Sequence, residues 1–303
     1  MIKNSIQTFP SLKDKVAIVT GAGKGVGRAM SLYLASCGVK VLVNNRRHPS
    51  ETDAQSSAGG VVQEILAQGG QAQANYDDAL DPDSGRRMVD QAMNAWGSLD
   101  MVYANAAISQ HASFHSLSVS QLMQIIETGV VSTLSLFHAA WPIFKEQRFG
   151  RALASTSSAG RFGNHGLSAY AASKGAIESL VRSLAHEGEK HNIYCNAISP
   201  YAYSQMTASH LPSHWINKLQ PEALAPAVAW LLSKECTLNG EVLVAGGGRY
   251  ARAWPVETDP LEGEDLPAIW QELLKKDGKR HKDSVSAFES FMLERNGSVG
   301  NMQ

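Results

Sequence analysis

Seven short strand-like runs, six of them largely apolar and Gln71–Asn75 weaker, divide the first 245 residues, and helical stretches separate most of them. They are Val16–Thr20, Val39–Val43, Gln71–Asn75, Leu99–Ala104, Arg151–Thr156, Ile193–Ile198 and Glu241–Ala245. The first two are rich in β-branched residues and all are too short for helices, which reads as strands buried on both faces. Strand alternating with helix over this length predicts a doubly wound parallel sheet of seven strands, layered between helices on its two faces. Ligands of such sheets bind beyond the C-terminal strand ends, where the strand order reverses. Thr20-Gly21, Asn44-Asn45-Arg46, Asp77, Asn105, Ser157 and Pro200 are strand ends, so the alternation alone brings them towards one crevice.

The first of these ends runs straight into Gly21-Ala-Gly-Lys-Gly-Val-Gly27, and a helical pattern through Val26, Met30, Tyr33 and Leu34 follows. Strand, glycine turn and helix start are the context a dinucleotide pyrophosphate needs. Glycines let the backbone approach closely, and the helix N-terminus offers free N–H groups and partial positive charge. Gly21, Lys24, Gly25, Val26 and Gly27 are therefore candidate cofactor contacts, although a tight turn without a ligand would carry the same glycines.

Tyr170 and Lys174 lie four apart at the start of a helical stretch through Ile177, Leu180, Val181 and Leu184. That spacing puts a phenol and an ammonium on one helix face. A free phenol titrates near pH ~10, and a neighbouring cation favours its ionised form. Ser157, which ends the fifth apolar run, is a candidate to orient a substrate oxygen beside Tyr170. Spacing alone also fits an interfacial tyrosine and a solvated lysine.

Bulk composition narrows the partners. A formal net charge of −1 offers no basic surplus for nucleic acid. Three scattered cysteines make neither a disulfide framework nor a metal cluster, and no histidine motif supplies one. No apolar run reads as the ~18–20 residues of a membrane span, and Met1–Pro10 lacks the apolar core of a secretory signal. The expectation is a cytoplasmic protein with no metal, membrane or nucleic-acid partner. Two regions are expected: residues 1–250 as the dinucleotide-binding and catalytic domain, and residues 251–303 as a C-terminal helical extension, acidic and punctuated by Pro255, Pro260 and Pro267.

Taken together, Thr20-Gly-x-x-x-Gly-x-Gly27, Asn105-Ala-Ala107, Ser157 and Tyr170-x-x-x-Lys174 resemble the short-chain dehydrogenase/reductase family over about residues 12–250. Ala139-Ala-Trp-Pro142, Asn192–Pro200 and Ser204-Gln-Met-Thr207 further resemble the dehydrogenase part of peroxisomal multifunctional enzyme type 2, a group acting on (3R)-hydroxyacyl-CoA with relatives that act on hydroxysteroids. The resemblance implies a Rossmann-type fold and hydride transfer between a nicotinamide nucleotide and a secondary alcohol or ketone of a bulky substrate. It implies Tyr170 as general acid/base, Ser157 as hydrogen-bond partner of the reacting oxygen, and Lys174 as ribose ligand that lowers the Tyr170 pKa. Asn105, Asp77 (at the adenine) and Pro200 would border the nucleotide.

Cofactor preference turns on the second strand end. Asn45 stands where an acidic residue would select NAD, and Arg46, Arg47 and Lys24 suit a 2′-phosphate, so NADP is expected, with NAD the alternative. The resemblance also implies a homodimer or homotetramer pairing the helices near 120–144 and 169–187. Two positions depart from the family's motifs: Ala107 replaces a Gly after Asn105, and the Asn of its proton relay is here Gly129. A non-catalytic or weakly active nucleotide-binding regulatory protein is therefore the alternative expectation.

Overall fold

The computed structural model describes residues 9–204 and 212–292, so the end of the Ser204–Thr207 stretch and His210 lie outside the described residues. In chain order the first part runs β1 (Val16–Val19), α1 (Gly25–Ser36), β2 (Lys40–Asn44), α2 (Ser57–Ala67), β3 (Gln71–Asn75), α3 (Ser84–Trp96) and β4 (Met101–Ala104). There follow α4 (Val119–Ile126), a π-helical turn (Glu127–Val131), α5 (Ser132–Gln147), β5 (Gly150–Ser155), α6 (Ser158–Phe162), α7 (Ser168–Gly188) and β6 (Ile193–Pro200). The sheet region closes with α8 (Ser213–Ile216), α9 (Ala225–Leu232), β7 (Val242–Gly246) and β8 (Arg249–Ala253).

The strands lie in the order β3-β2-β1-β4-β5-β6-β7-β8. Those from β3 to β7 pair in parallel, in register as Val19↔Val43 and Val19↔Tyr103 either side of β1. Order therefore reverses between β1 and β4, the place where a ligand crevice forms in such sheets. Strand residues alternate between two packed faces. Ala17, Val19, Val41, Val43, Met101 and Tyr103 share a core with α1, α2 and α9, while α3, α5 and α7 form the other layer. Sequence periodicity predicts seven strands. The eighth, β8, is exposed over most of its length, so it carries no apolar signature to read.

Two element boundaries differ from the sequence reading for local reasons. The second helix begins at Ser57 rather than Val61, because Ser56 caps it through a bond from the Gly59 N–H at 3.0 Å; the Gly59-Gly60 pair hides that first turn. The helix expected over 120–144 is broken by the π turn, where the Ser132 N–H reaches back to the Glu127 carbonyl. The run Val119–Gln147 is long and apolar enough to cross a membrane by composition. Its inner residues Leu136, Phe137, Ala140 and Phe144 are buried in the helix layer.

A second compact unit comprises Ala253–Gln303. Within its described part, Glu257 and Lys279 exchange backbone hydrogen bonds of 3.0 and 2.8 Å in an antiparallel bridge, and Lys279 also pairs with Asp259 at 2.6 Å. Its helices are α10 (Leu266–Leu273), capped by the Asp265 carboxylate, and α11 (Ser284–Met292).

Candidate active site

The glycine turn is built so that no side chain stands between its backbone and a ligand. Gly21 and Gly25 have φ of 61° and 52°, a region glycine occupies freely. A Cβ on Gly27 would lie 2.3 Å from the Gly21 carbonyl oxygen and 2.8 Å from Asn105 Nδ2, so this helix start tolerates only glycine. Lys24 sits exposed at the N-cap of α1, beside the free N–H groups of Gly25, Val26 and Gly27. Asn105 ties the turn to the end of β4: its Nδ2 donates to the Thr20 and Gly21 carbonyls at 3.2 and 3.3 Å, and Thr20 Oγ1 accepts from the Asn105 and Ala106 N–H groups. Behind Asn105, the buried Tyr103 hydroxyl meets Ser155 Oγ at 2.8 Å, and Ser155 Oγ reaches Asn105 Oδ1 at 3.1 Å. Motif reading misses this brace, because Tyr103 sits inside an apolar strand and looks like core.

At the ends of β2 and β3 the polar groups are paired with one another. Asn45 Nδ2 donates to Ser57 Oγ at 2.9 Å. Arg46 bonds Asp78 at 3.1 Å, and Arg47 pairs with Asp53 while stacking over Tyr76. The arginines that the sequence offers to a phosphate thus each have a carboxylate partner, although Arg46 remains 67% exposed. Asp77 accepts from Arg87 Nε at 2.6 Å and from Asn75 Nδ2 at 2.9 Å, which fixes the orientation of its carboxylate. Arg87 comes from α3, and no sequence signal connects it to Asp77.

Ser157, Tyr170 and Lys174 come together as their spacing predicts. Ser157 caps α6, where its Oγ accepts from the Ala159 N–H at 3.2 Å. Tyr170 occupies the first turn of α7 and Lys174 the second. Burial pushes the Tyr170 phenol above its ordinary pKa, and a hydrogen bond with Ser157 opposes that shift. Burial also pushes Lys174 down to about 8. Lys174 Nζ is directed to the Ser155 carbonyl at 2.7 Å and stands 5.6 Å from the Tyr170 ring centroid, so burial dominates both groups.

A cavity of about 450 Å³ opens over this group, with Ser157, Tyr170 and Pro200 in its wall beside His111, Phe162 and Tyr201. Its size and mixed lining suit an organic substrate larger than a simple ketone. Gly129 lies in the π turn, where a Cβ would stand 3.0 Å from Ser173 Oγ and 3.1 Å from Ser173 Cβ. The residue beside Lys174 therefore fills the space that a larger side chain at 129 would use. Among the described residues no cluster of His, Cys, Asp or Glu could hold a metal ion.

The sequence profile of the short chain dehydrogenase family matches residues 15–213. A chain of Mycobacterium tuberculosis named as a short-chain type dehydrogenase/reductase is 36% identical over 280 residues, covering 90% of this chain and 98% of that one. Peroxisomal multifunctional enzyme type 2 of mouse is 38% identical over 236 residues; the match takes in 77% of this chain but spans only 32% of that enzyme. The crystal structure of a short chain dehydrogenase from Mycobacterium avium superposes with a TM-score of 0.80 at 28% identity, over 88% of this chain and 96% of the other.

Proposed function

The chain belongs to the short-chain dehydrogenase/reductase family, oxidoreductases that act on CH–OH groups with a nicotinamide nucleotide, and from that premise we propose that it interconverts a bulky secondary alcohol and its ketone with NADP(H). The observation that carries this is that Ser157 and Tyr170 share the wall of a cavity of about 450 Å³, with Lys174 one helical turn behind.

The glycine cradle fits a dinucleotide, since a Cβ at Gly27 would fill it and the α1 N–H groups point outward from it. Gly21, Gly25, Val26 and Gly27 would hold the pyrophosphate, Asp77 the adenine, and Asn105, Lys174 and Pro200 the nicotinamide end. Lys24, Asn45 and Arg46 favour a 2′-phosphate, with Arg46 shared between that phosphate and Asp78. When bound, the nicotinamide supplies the hydride acceptor or donor. In the oxidative direction Tyr170 accepts the hydroxyl proton of the substrate, and in the reductive direction it returns one to the carbonyl oxygen. Ser157 donates to that oxygen and stabilises the charge it develops. The substrate class is a 3-hydroxyacyl-CoA, a hydroxysteroid or a similar bulky alcohol. We place the protein in the cytoplasm as a homodimer or homotetramer. An apolar groove between α5 and α7, lined by Leu134, Phe137, Trp141 and Leu184, is the candidate subunit contact.

The test is NADPH oxidation against panels of 3-ketoacyl-CoA, ketosteroid and simple ketones, with Tyr170→Phe beside the parent. Turnover in the parent should fall by ~10²–10⁴-fold in Tyr170→Phe with nucleotide affinity retained. A parent that binds nucleotide and turns over nothing would favour the second reading, a non-catalytic regulatory protein, which Gly129 motivates by removing the family's relay side chain.

A further inference from the structure

Beneath the cavity, four elements converge on a buried polar cluster whose members do not line it. Arg161, near the end of α6, bonds Glu178 Oε1 of α7 through NH1 at 2.5 Å and Ser199 Oγ of β6 through NH2 at 3.0 Å. Thr156 Oγ1, just past β5, lies 2.9 Å from Glu178 Oε1 and 2.9 Å from the Lys174 carbonyl oxygen. Glu178 is 6% exposed, Thr156 2% and Ser199 1%. Arg182, one turn further along α7, adds positive charge near Glu178.

Each member adjoins a residue of the proposed site. Thr156 precedes Ser157, Ser199 precedes Pro200, and Glu178 lies one turn beyond Lys174 and two beyond Tyr170 on the same helix face. Arg161 joins the Ser157 arm to both α7 and β6. The arm needs such a tether. Helix α6 has five residues, too few to hold an orientation through its own bonds, and Gly163 and Gly166 follow it at φ of 69° and 78°. Gly160 and Gly175 let α6 and α7 touch backbone to backbone, which brings Arg161 within reach of Glu178.

We propose that Arg161 and Glu178 are positioning residues of the reaction, an ion pair that holds the Ser157 hydroxyl in register with the Tyr170 phenol. The proposal rests on the oxidoreductase reading above. A buried ion pair is weak evidence for stability, since an apolar pair of similar volume often serves as well. What such a pair does supply is fixed geometry, and a misplacement of about 1 Å at a reacting centre can cost ~10²-fold in rate.

The experiment compares the parent, Arg161→Lys and the double variant Arg161→Met/Glu178→Gln, which removes both charges of the pair together and leaves Glu241 as the acidic neighbour of Arg182. It reads kcat and KM for nucleotide and substrate, thermal midpoint, and the pH profile of alcohol oxidation, all well below the midpoint. The double variant should keep its midpoint within a few degrees and its nucleotide KM within twofold, while kcat falls at least tenfold. Its oxidation profile should also move to higher pH, because a loosened Ser157 bond no longer opposes the effect of burial on Tyr170. Arg161→Lys, with a point charge that cannot bridge Glu178 and Ser199 as the guanidinium does, should fall between the two. Should the double variant not fold, Arg161→Lys carries the same comparison. Parent kcat and pH profile in the variants, or losses that follow the midpoint alone, overturn the positioning role. An active parent with unaffected variants overturns it alone; an inactive parent overturns the oxidoreductase reading with it.

Discussion

Lys174 donates its ammonium proton to the Ser155 carbonyl at 2.7 Å and so meets a neutral acceptor in the core rather than an anion. A buried cation without a charged partner favours its neutral form, which is why Lys174 falls from 10.5 to about 8. The folded pKa lies below the unfolded one, so between these values the unfolded chain binds more protons and stability rises with pH. Above pH ~10 the trend reverses, because burial raises Tyr103 and Tyr170 and the unfolded tyrosines ionise first. Comparing the parent with Lys174→Met isolates the lysine, since those tyrosines and the buried Cys195 act alike in both. From pH 8 to 10 the parent should gain at most about 3 kcal/mol relative to the variant. Urea midpoints at half-unit intervals read this, and two parallel curves would show that Lys174 titrates normally.

Gly129 makes an unusual prediction about restoring a family residue. Alanine in a helix is favoured over glycine by about 1 kcal/mol. Here its Cβ would stand 3.1 Å from Ser173 Cβ, on a buried turn of α7 that cannot yield without moving Lys174. Gly129→Ala should therefore destabilise by about 1–2 kcal/mol net, as overpacking does. Gly129→Asn should lower kcat instead of raising it. Adding Ser173→Gly relieves the contact, so the pair should be non-additive by about 1 kcal/mol or more. A Gly129→Asn variant that turns over faster than the parent would mean that the glycine is a defect of the relay and not a packing solution.

The frame of this protein was legible in its sequence because buried parallel strands leave continuous apolar runs, and the glycine turn and the Tyr170–Lys174 spacing are local patterns. What was not legible depends on pairings between distant residues. Arg46 and Asp78 are polar loop residues in the sequence, and only the fold makes them an ion pair. Arg87 reaches Asp77 from a helix that carries no motif. Tyr103, Ser155 and Asn105 form a hydroxyl–amide chain across two strands that each read as plain core. The π turn at Glu127–Val131 adds a residue to a helix whose periodicity otherwise continues through it. The acceptor of Lys174, the Ser155 carbonyl, was not legible either, since spacing places two side chains on one face without saying where an ammonium finds its acceptor.

Cofactor preference can be tested from both sides of the Arg46–Asp78 pair. If Arg46 serves a 2′-phosphate, Arg46→Ala should raise KM for NADPH by about tenfold and leave that for NADH nearly unchanged. The effect stays modest because the side chain is 67% exposed, where water screens the interaction. Asp78→Asn should act in the opposite direction, freeing Arg46 and removing a negative charge near the phosphate, so KM for NADPH falls. Equal effects on both nucleotides in either variant would remove the basis for preferring NADP.

The glycine cradle offers the sharpest separation of nucleotide binding from folding. In Gly27→Ala the new methyl would meet the Gly21 carbonyl oxygen and Asn105 Nδ2. Relief requires the turn to open and Asn105 to leave the Thr20 and Gly21 carbonyls. The sheet beneath is buried on both faces and does not depend on that turn, so the strands should keep their packing. Fluorescence titration with NADPH should show affinity reduced by 100-fold or more, about 3 kcal/mol at 1.4 kcal/mol per decade. Far-ultraviolet circular dichroism should be unchanged. Retained affinity would mean that nucleotide does not sit on the α1 N-terminus, and lost dichroism would mean that the turn supports the sheet rather than the ligand.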